Sequence, residues 1–157
     1  MKNIIVLLSL FAFAVTSFIG CSERIGDFTL ISTKNVDIGG KYKKLDERYT
    51  GEDSRGDILG IPLGMPNLKT AVDNCIEAGE GDLLTNAVID ASYWTAIFYG
   101  ERKYTVTGDV WVKASISDLL NPNEELFELK ANSHSFVLVS IKDPAKVVKV
   151  DYFASVN

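Results

Sequence analysis

The sequence predicts an α+β fold, in which a small antiparallel sheet with a long central hairpin carries one main amphipathic helix. The helix is predicted from an apolar stripe at helical spacing, formed by Leu68, Ala71, Val72, Cys75 and Ile76. The hairpin is predicted from two neighbouring segments of β character, 83–99 and 103–113. Shorter β-like segments on either side supply the other strands.

Residues that favour helix ends flank the stripe. Pro66 fits a first turn, where its missing N–H is not needed, and Asn67 or the Met65–Pro66 junction marks the start. Gly79 is placed to end the helix as a C-cap glycine. The helix is therefore expected to lie with its stripe on a core.

In the predicted hairpin, segment 83–99 has apolar residues at both parities, so we expect cover on both of its faces. Segment 103–113 alternates, with Trp111 on the outer parity. Gly100–Glu101 is the expected tight turn between them.

The N-terminal half is less regular. A strand is expected over 28–37, an edge strand or long loop over 42–49, and a polar turn over 51–57. Pro62 makes the apolar piece 58–63 an edge or terminal strand, since proline cannot donate to a sheet ladder.

In the C-terminal part, 117–130 is broken at 121–123, and the Glu- and Leu-rich piece after the break suggests a short helix. Strands are expected over 136–141 and 147–153. Asp143–Pro144 is a turn signal that would join them in a terminal hairpin.

The N-terminus has the layout of a secretory signal. Lys2 precedes an apolar run from Ile4 to Phe18, and the chain becomes polar again at Ser22. About fifteen apolar residues are too few to span a bilayer, which needs about 20. Residues 1–20 are therefore predicted to be a signal peptide.

The four residues Phe18-Ile19-Gly20-Cys21 resemble the lipobox of bacterial lipoproteins, with Phe18 where Leu is usual. The resemblance implies cleavage between Gly20 and Cys21, and acyl chains, palmitate among them, on Cys21. Two or three chains give firm anchoring to a membrane. Ser22 implies an outer-membrane address in a Gram-negative cell envelope, on the periplasmic or the surface side. The alternative is ordinary secretion with a cut near Ser17.

The chain is expected to contain a signal peptide (1–20), a lipidated tether (21–27) and a single α+β domain (28–157). Removing 20 of 157 residues leaves 137, enough for one core. The leader takes away only Lys2, so the mature part has 15 basic and 21 acidic residues, net −6. This charge argues against nucleic acid and against an anionic membrane face as partners.

Part of the domain is similar to the TRL-like family of small bacterial lipoproteins. The similarity lies in Gly-Asp-Leu-Leu-Thr-Asn-Ala at 81–87, Trp94, and Tyr-Thr-Val-Thr-Gly-Asp at 104–109. It implies a small α+β domain with an antiparallel sheet and one helix across it. It brings no catalytic residues, and the last 40 or so residues lie outside it.

No catalytic motif is present in the sequence, and we expect no enzyme activity, cofactor or metal. His134 is the one histidine; a serine triad would recruit Ser133 or Ser135, but sequence neighbours on a strand point to opposite faces. One histidine and one cysteine do not make a zinc site. Asp90 and Asp109 would face each other across the hairpin, where we expect solvated charges.

The two cysteines have linked fates. If Cys21 carries lipid, Cys75 is an unpaired thiol. If Cys21 is free, a disulfide between Cys21 and Cys75 is the alternative. Because Cys75 lies in the apolar stripe, a packed thiol is expected there.

Aromatic residues crowd the hairpin. They pack in the core and across strands, or they form an exposed patch that docks an envelope partner. The candidate partner-binding residues are Trp94, Trp111, Tyr99 and Tyr104. The predicted function is a non-enzymatic interaction or structural module of the cell envelope. The alternative is a small-ligand-binding periplasmic lipoprotein that uses the aromatic hairpin face.

Overall fold

In a computed structural model of the chain, residues 19–131 and 135–151 are described. They form an eight-stranded antiparallel sheet, curled into a half-barrel, with two short helices. The elements are β1 Ile19–Ile31, β2 Lys41–Ile58, β3 Ile61–Pro62, α1 Leu68–Ala78, β4 Leu83–Thr95, β5 Tyr99–Lys113, α2 Ile116–Leu120, β6 Phe127–Ala131, β7 Ser135–Ser140 and β8 Val147–Asp151.

The strand order is β1-β4-β5-β2-β6-β7-β8, with β3 paired to β2 alone. The curl brings β1 and β8 towards each other. Strands account for more than half of the described residues, so the α+β prediction is wrong and the protein is mostly β. The error has a local cause: the sequence predicts an edge strand or loop over 42–49 and a turn over 51–57, whereas both segments lie in the long strand β2.

Two buried clusters lie on opposite faces of the sheet. Leu84 pairs with Val110 beneath α1, whereas the adjacent pair of Leu83 and Trp111 lies inside the curl. Side chains of successive strand residues point to opposite faces. This explains why β4 is apolar at both parities, as the sequence indicated.

The predicted helix is confirmed as α1. The Asn67 side chain caps its start by accepting from the backbone N–H of Lys69, and Gly79 follows its last residue. All of the buried helix residues belong to the predicted stripe: Ala71, Val72, Cys75 and Ile76. A Cβ on Gly51 of β2 would stand 2.1 Å from the Cys75 nitrogen, so a side-chain-free position allows the helix to lie directly on the strand.

The central hairpin of β4 and β5 is also confirmed, with a different turn. The chain reverses at 96–98, where the Ala96 N–H donates to the Tyr99 carbonyl oxygen at 2.7 Å. Gly100 and Glu101 lie within β5. A Cβ on Gly100 would approach Asp57 Oδ1 to 2.4 Å, so close strand packing rather than a turn requires glycine there.

Other expectations need correction. The edge strand or loop at 42–49 and the turn at 51–57 are one strand, β2, which is paired with β5 over most of its length. The predicted tether at 21–27 lies in β1, hydrogen-bonded to β4. A polar sequence suits both segments, because each has a face that remains open to solvent.

Of the C-terminal predictions, one is confirmed and one is wrong. The terminal hairpin is confirmed as β7 and β8, although Tyr152 and Phe153 lie outside the described residues. The short helix after 121–123 is wrong: Phe127 and Leu129 alternate along β6 and are buried inside the curl. A helix instead forms earlier, as α2, with a capping box between Ser115 and Asp118.

Candidate functional site

Large apolar side chains are concentrated at one end of the sheet. They come from the ends of β2 and β4, the start of β5, the 96–98 turn and the segment after β2. Each is between 36% and 69% exposed. We call this group the apolar tip: Ile58, Leu59, Ile61, Leu63, Met65, Tyr93, Trp94, Ile97, Phe98 and Tyr99.

Strand pairing and one loop contact hold the tip together. Ile58 is opposite Ile61 on one side and Tyr99 on the other. The Leu59 N–H donates to the Phe98 carbonyl oxygen at 3.0 Å. The β2–β3 and β4–β5 turns therefore project side by side as one surface.

Leu59 holds an uncommon backbone conformation. Leu59 and Gly60 have φ of 51° and 76° and form the two-residue loop between Ile58 and Ile61. Hairpin loops with two positive φ values favour Asn-Gly. A leucine there costs about 1 kcal/mol in backbone strain, and its side chain remains 65% exposed.

Cys21 lies beside this tip. It is exposed, has a free thiol and pairs with Tyr93 near the start of β1. A recess of about 250 Å³ opens beside it, with Met65, Arg102 and Tyr104 in its wall. Met65 and Tyr93 belong to both the recess and the tip, so the two are continuous beside this thiol. The charged residues Glu23, Arg102 and Lys103 also line the recess.

Arg102 supplies a cation in this region. Its guanidinium carbon lies 5.5 Å from the Tyr93 ring centroid, and one nitrogen is 3.5 Å from Met65 Sδ. Among the described residues it makes no ion pair with a carboxylate. An arginine over an aromatic face retains donors for an anion.

On the opposite face of the tip, Trp94 stacks obliquely on Tyr99 with ring centroids 5.5 Å apart. The Trp94 indole N–H donates to Glu101 at 3.1 Å. Hydrogen bonds from Ser54 and Trp94 hold the pKa of Glu101 below its ordinary value. Two of the four predicted partner-binding residues, Trp94 and Tyr99, therefore meet at the tip.

The other two lie outside the tip: Trp111 is in the core, and Tyr104 is in the wall of the recess. Trp111 is completely buried: its indole N–H donates to Thr85 Oγ1 at 2.9 Å, and its ring meets Phe127 edge-on at 5.1 Å. Its assignment to an exposed patch was wrong, because the outer parity of β5 becomes the inside of the curl. Tyr104 is partly buried against the cluster beneath α1.

Cys75 is a packed thiol, as predicted. It is fully buried, donates to the Tyr49 carbonyl oxygen at 3.2 Å and forms no disulfide with Cys21. Burial raises the pKa of the Cys75 thiol. It is therefore a poor nucleophile, since thiolate is the reactive form.

The predicted pairing of Asp90 with Asp109 does not occur. Asp90 is opposite Thr105 and Asp109 opposite Thr85, because the chain reverses at 96–98 and not at the expected turn of Gly100 and Glu101. Asp109 is buried, 3.1 Å from Lys44 Nζ. Burial acts to raise its pKa, but hydrogen bonds from Asn86 and Lys44 prevail and hold it below the ordinary value.

Two of the cavities away from the tip are much larger than the recess. A charged cleft of about 580 Å³ near the start of β2 contains Lys43 and Lys146, which are already paired with Glu124 and Glu125 at 2.9 and 2.6 Å. An apolar groove of about 480 Å³ runs between β1 and the strands β6 and β7.

His134 and Ser133 lie outside the described residues, so the triad hypothesis stays at the sequence level. Within 19–131 and 135–151, no three His, Cys, Asp or Glu side chains are grouped to hold a metal ion. No helix in that part of the chain is long and apolar enough to cross a membrane.

Sequence reasoning missed most of the tip. The signal was present: between Ile58 and Met65 the sequence alternates large apolar residues with glycine and proline. Its first part, 58–63, predicts an edge or terminal strand. Only the short two-residue strand β3 forms there, and its side chains stay exposed.

Comparison with known protein families, curated proteins and solved structures finds no match to this chain.

Proposed function

We propose that this chain is an exported bacterial lipoprotein, held at the outer membrane by acyl chains on Cys21. Residues 1–20 would be its signal peptide, and the folded domain a non-enzymatic interaction or structural module of the envelope. The observation that carries the proposal is the position of Cys21, exposed at the start of β1 beside the apolar tip. The thiol is accessible to a modifying enzyme and opens onto apolar surface.

Cleavage before Cys21 is compatible with the sheet. It removes Ile19 and Gly20, which pair with Thr95 and Trp94 at the last positions of the β1–β4 ladder. The pairs from Cys21 to Ile31 remain. The acyl chains would then be attached directly to a strand of the domain, without the flexible tether expected from the sequence.

The test is metabolic labelling with a fatty acid, combined with membrane fractionation. Wild type is expected to carry label and to pellet with membranes, whereas Cys21→Ala loses both. Cys75→Ala is the matched control and retains label, because Cys75 is buried on the inner face of α1 and is inaccessible to a modifying enzyme. An unlabelled wild-type protein, or a Cys21→Ala variant that stays membrane-bound, contradicts the anchor.

The second candidate is a small-ligand-binding lipoprotein. It is favoured by the recess beside Tyr93, whose walls combine apolar surface with the cations Arg102 and Lys103. Lys103 is already paired with Glu52 at 2.9 Å, which leaves Arg102 as the cation for a bound anion. Small aromatic carboxylates are the suitable probes. A rise in melting temperature that disappears in Arg102→Gln but persists in Lys142→Gln, at an exposed lysine elsewhere, would support it.

A further inference from the structure

We infer that the apolar tip inserts into the membrane interface next to the acyl chains of Cys21, so that the domain is seated on the bilayer by two attachments. This inference rests on the proposed lipid anchor. It assigns the lipid bilayer, rather than a protein, as the occupant of the tip.

The first argument is position. Cys21 is opposite Tyr93, and Thr95 lies two strand residues further on, which is about 7 Å at 3.3 to 3.4 Å per residue. The exposed Ile97 and Phe98 turn lies beyond Thr95. Interfacial elements enter a bilayer by about 5–10 Å. An anchor on Cys21 therefore brings this turn to the depth of the interface.

The second argument is the layering of side chains. Tyr93, Trp94 and Tyr99 lie on the strands, and purely apolar Leu59, Phe98 and their neighbours lie at the turns. Tryptophan and tyrosine concentrate at membrane interfaces because their rings are amphipathic. The order from strand to turn matches the order from headgroups to acyl chains.

The third argument is charge. Arg102 lies on the strands behind the turns and makes no ion pair with a carboxylate among the described residues. A guanidinium at this level is complementary to lipid phosphate. The mature chain has net charge −6, so attraction of the whole domain to an anionic surface is not the driving force. The local cation acts only once the anchor holds it there.

The fourth argument is the strain at Leu59. Asn would suit its positive φ better than Leu does. An exposed apolar side chain in that conformation gains nothing in water. Burial of the side chain in lipid offsets the strain at this position.

The experiment uses the full lipidated chain purified from the cell and reconstituted in vesicles of phosphatidylethanolamine and phosphatidylglycerol. Some of the lipids carry bromine on their acyl chains, which quenches tryptophan fluorescence at short range. The chain has two tryptophans: Trp94 at the tip and the buried Trp111, which acts as an internal reference. We expect the brominated lipids to quench the emission of Trp94 and to leave the emission of Trp111 unchanged. Trp94→Phe should therefore abolish the quenching.

The tip variant is Leu59→Asn with Phe98→Ser. It relieves the strain at 59 and removes two exposed apolar groups, so the fold should be retained while quenching falls. The matched control is Leu120→Asn with Ile116→Ser, in α2 at the opposite end of β5, where both side chains are 78% exposed. This control should be quenched like wild type.

Fatty-acid label on Cys21 is measured in the same samples, which separates the two proposals. Labelled protein with unquenched Trp94 overturns the seating and leaves the anchor intact. If the protein is labelled, and the tip variant differs from wild type in self-association but not in quenching, the tip is a contact between two copies of the chain. This result also overturns the seating. Absence of label overturns the anchor itself.

Discussion

At the scale of single residues, Asp57 is the least satisfied group in the described part of the chain. It is 2% exposed, and neither carboxylate oxygen has a hydrogen-bond partner among the described residues. A buried charge without a partner destabilises a fold more than a neutral amide does. Asp57→Asn should therefore raise the free energy of unfolding by about 1 kcal/mol or more, measured by urea denaturation.

Asp53 offers a matched control on the same strand. Its carboxylate accepts from the Asn67 N–H at 2.6 Å and from Arg55 at 2.9 Å. Asp53→Asn weakens both contacts and should lower the free energy of unfolding by about 1–3 kcal/mol. Equal losses for Asp53→Asn and Asp57→Asn would mean that Asp57 has a stabilising partner.

Asp109 makes a residue-level prediction about pH. Its folded-state pKa is held below the ordinary 3.8 by Asn86 and Lys44, so the unfolded chain binds the proton more tightly. The stabilisation by Asp109 is complete above that ordinary value and is lost as pH falls through the lower, folded-state pKa. Asp109→Asn should lower the melting temperature at neutral pH. The melting temperature of the variant should also fall less steeply than that of wild type in thermal melts from pH 7 to pH 2. If the melting temperature of the variant falls as steeply with pH as that of wild type, Asp109 is not the cause of the acid destabilisation.

At the scale of elements, the contact between α1 and β2 depends on Gly51. A methyl group there would stand 2.1 Å from one backbone atom of α1 and 2.4 Å from another. Gly51→Ala should lower the free energy of unfolding by about 3 kcal/mol, because a helix backbone cannot move aside cheaply. Denaturation with urea measures this loss.

Gly26 in β1 is the comparison for Gly51→Ala. A Cβ there meets only the outer ring atoms of Phe28, the nearest at 3.3 Å, and that ring can rotate away. Gly26→Ala should change stability by less than about 1 kcal/mol. Similar losses at Gly26 and Gly51 would show that strand propensity, and not the helix contact, sets the cost.

The elements found from sequence are those whose period is strong. The stripe of α1 and the alternation of 103–113 specify a helix and a strand locally. β2 was missed because its sequence shows little apolar alternation. Many of its residues at 42–57 face solvent, and where the strand meets α1 it does so through Gly51, which has no side chain. The burial of Trp111 was also missed, because it depends on the curl of the sheet. Strands β6 to β8 complete this curl, and β6 begins 16 residues after Trp111 (127 − 111). Pairing over that distance leaves no local signal.

At the scale of the whole molecule, the proposed seating orients the domain. The apolar tip is at one end of β2, and the charged cleft lined by Lys43 and Glu124 is at the other. From Lys44 to Ile58 the strand path is about 45 Å, at about 3.3 Å per residue. With the tip at the bilayer, the cleft faces away from the membrane and remains open to solvent.

Hydrogen exchange gives this orientation a direct readout. Lipidated protein in vesicles and the Cys21→Ser protein without vesicles should differ in amide protection over 58–66 and 96–99, where few ladder hydrogen bonds protect the backbone. The segments around α2 and the cleft, 115–125 and 141–146, should exchange equally in both, because they remain in water. Protection at the cleft instead of the tip would contradict this orientation and would mean that the cleft end faces the membrane. Protection at both ends would indicate that copies of the chain pack against one another on the vesicle.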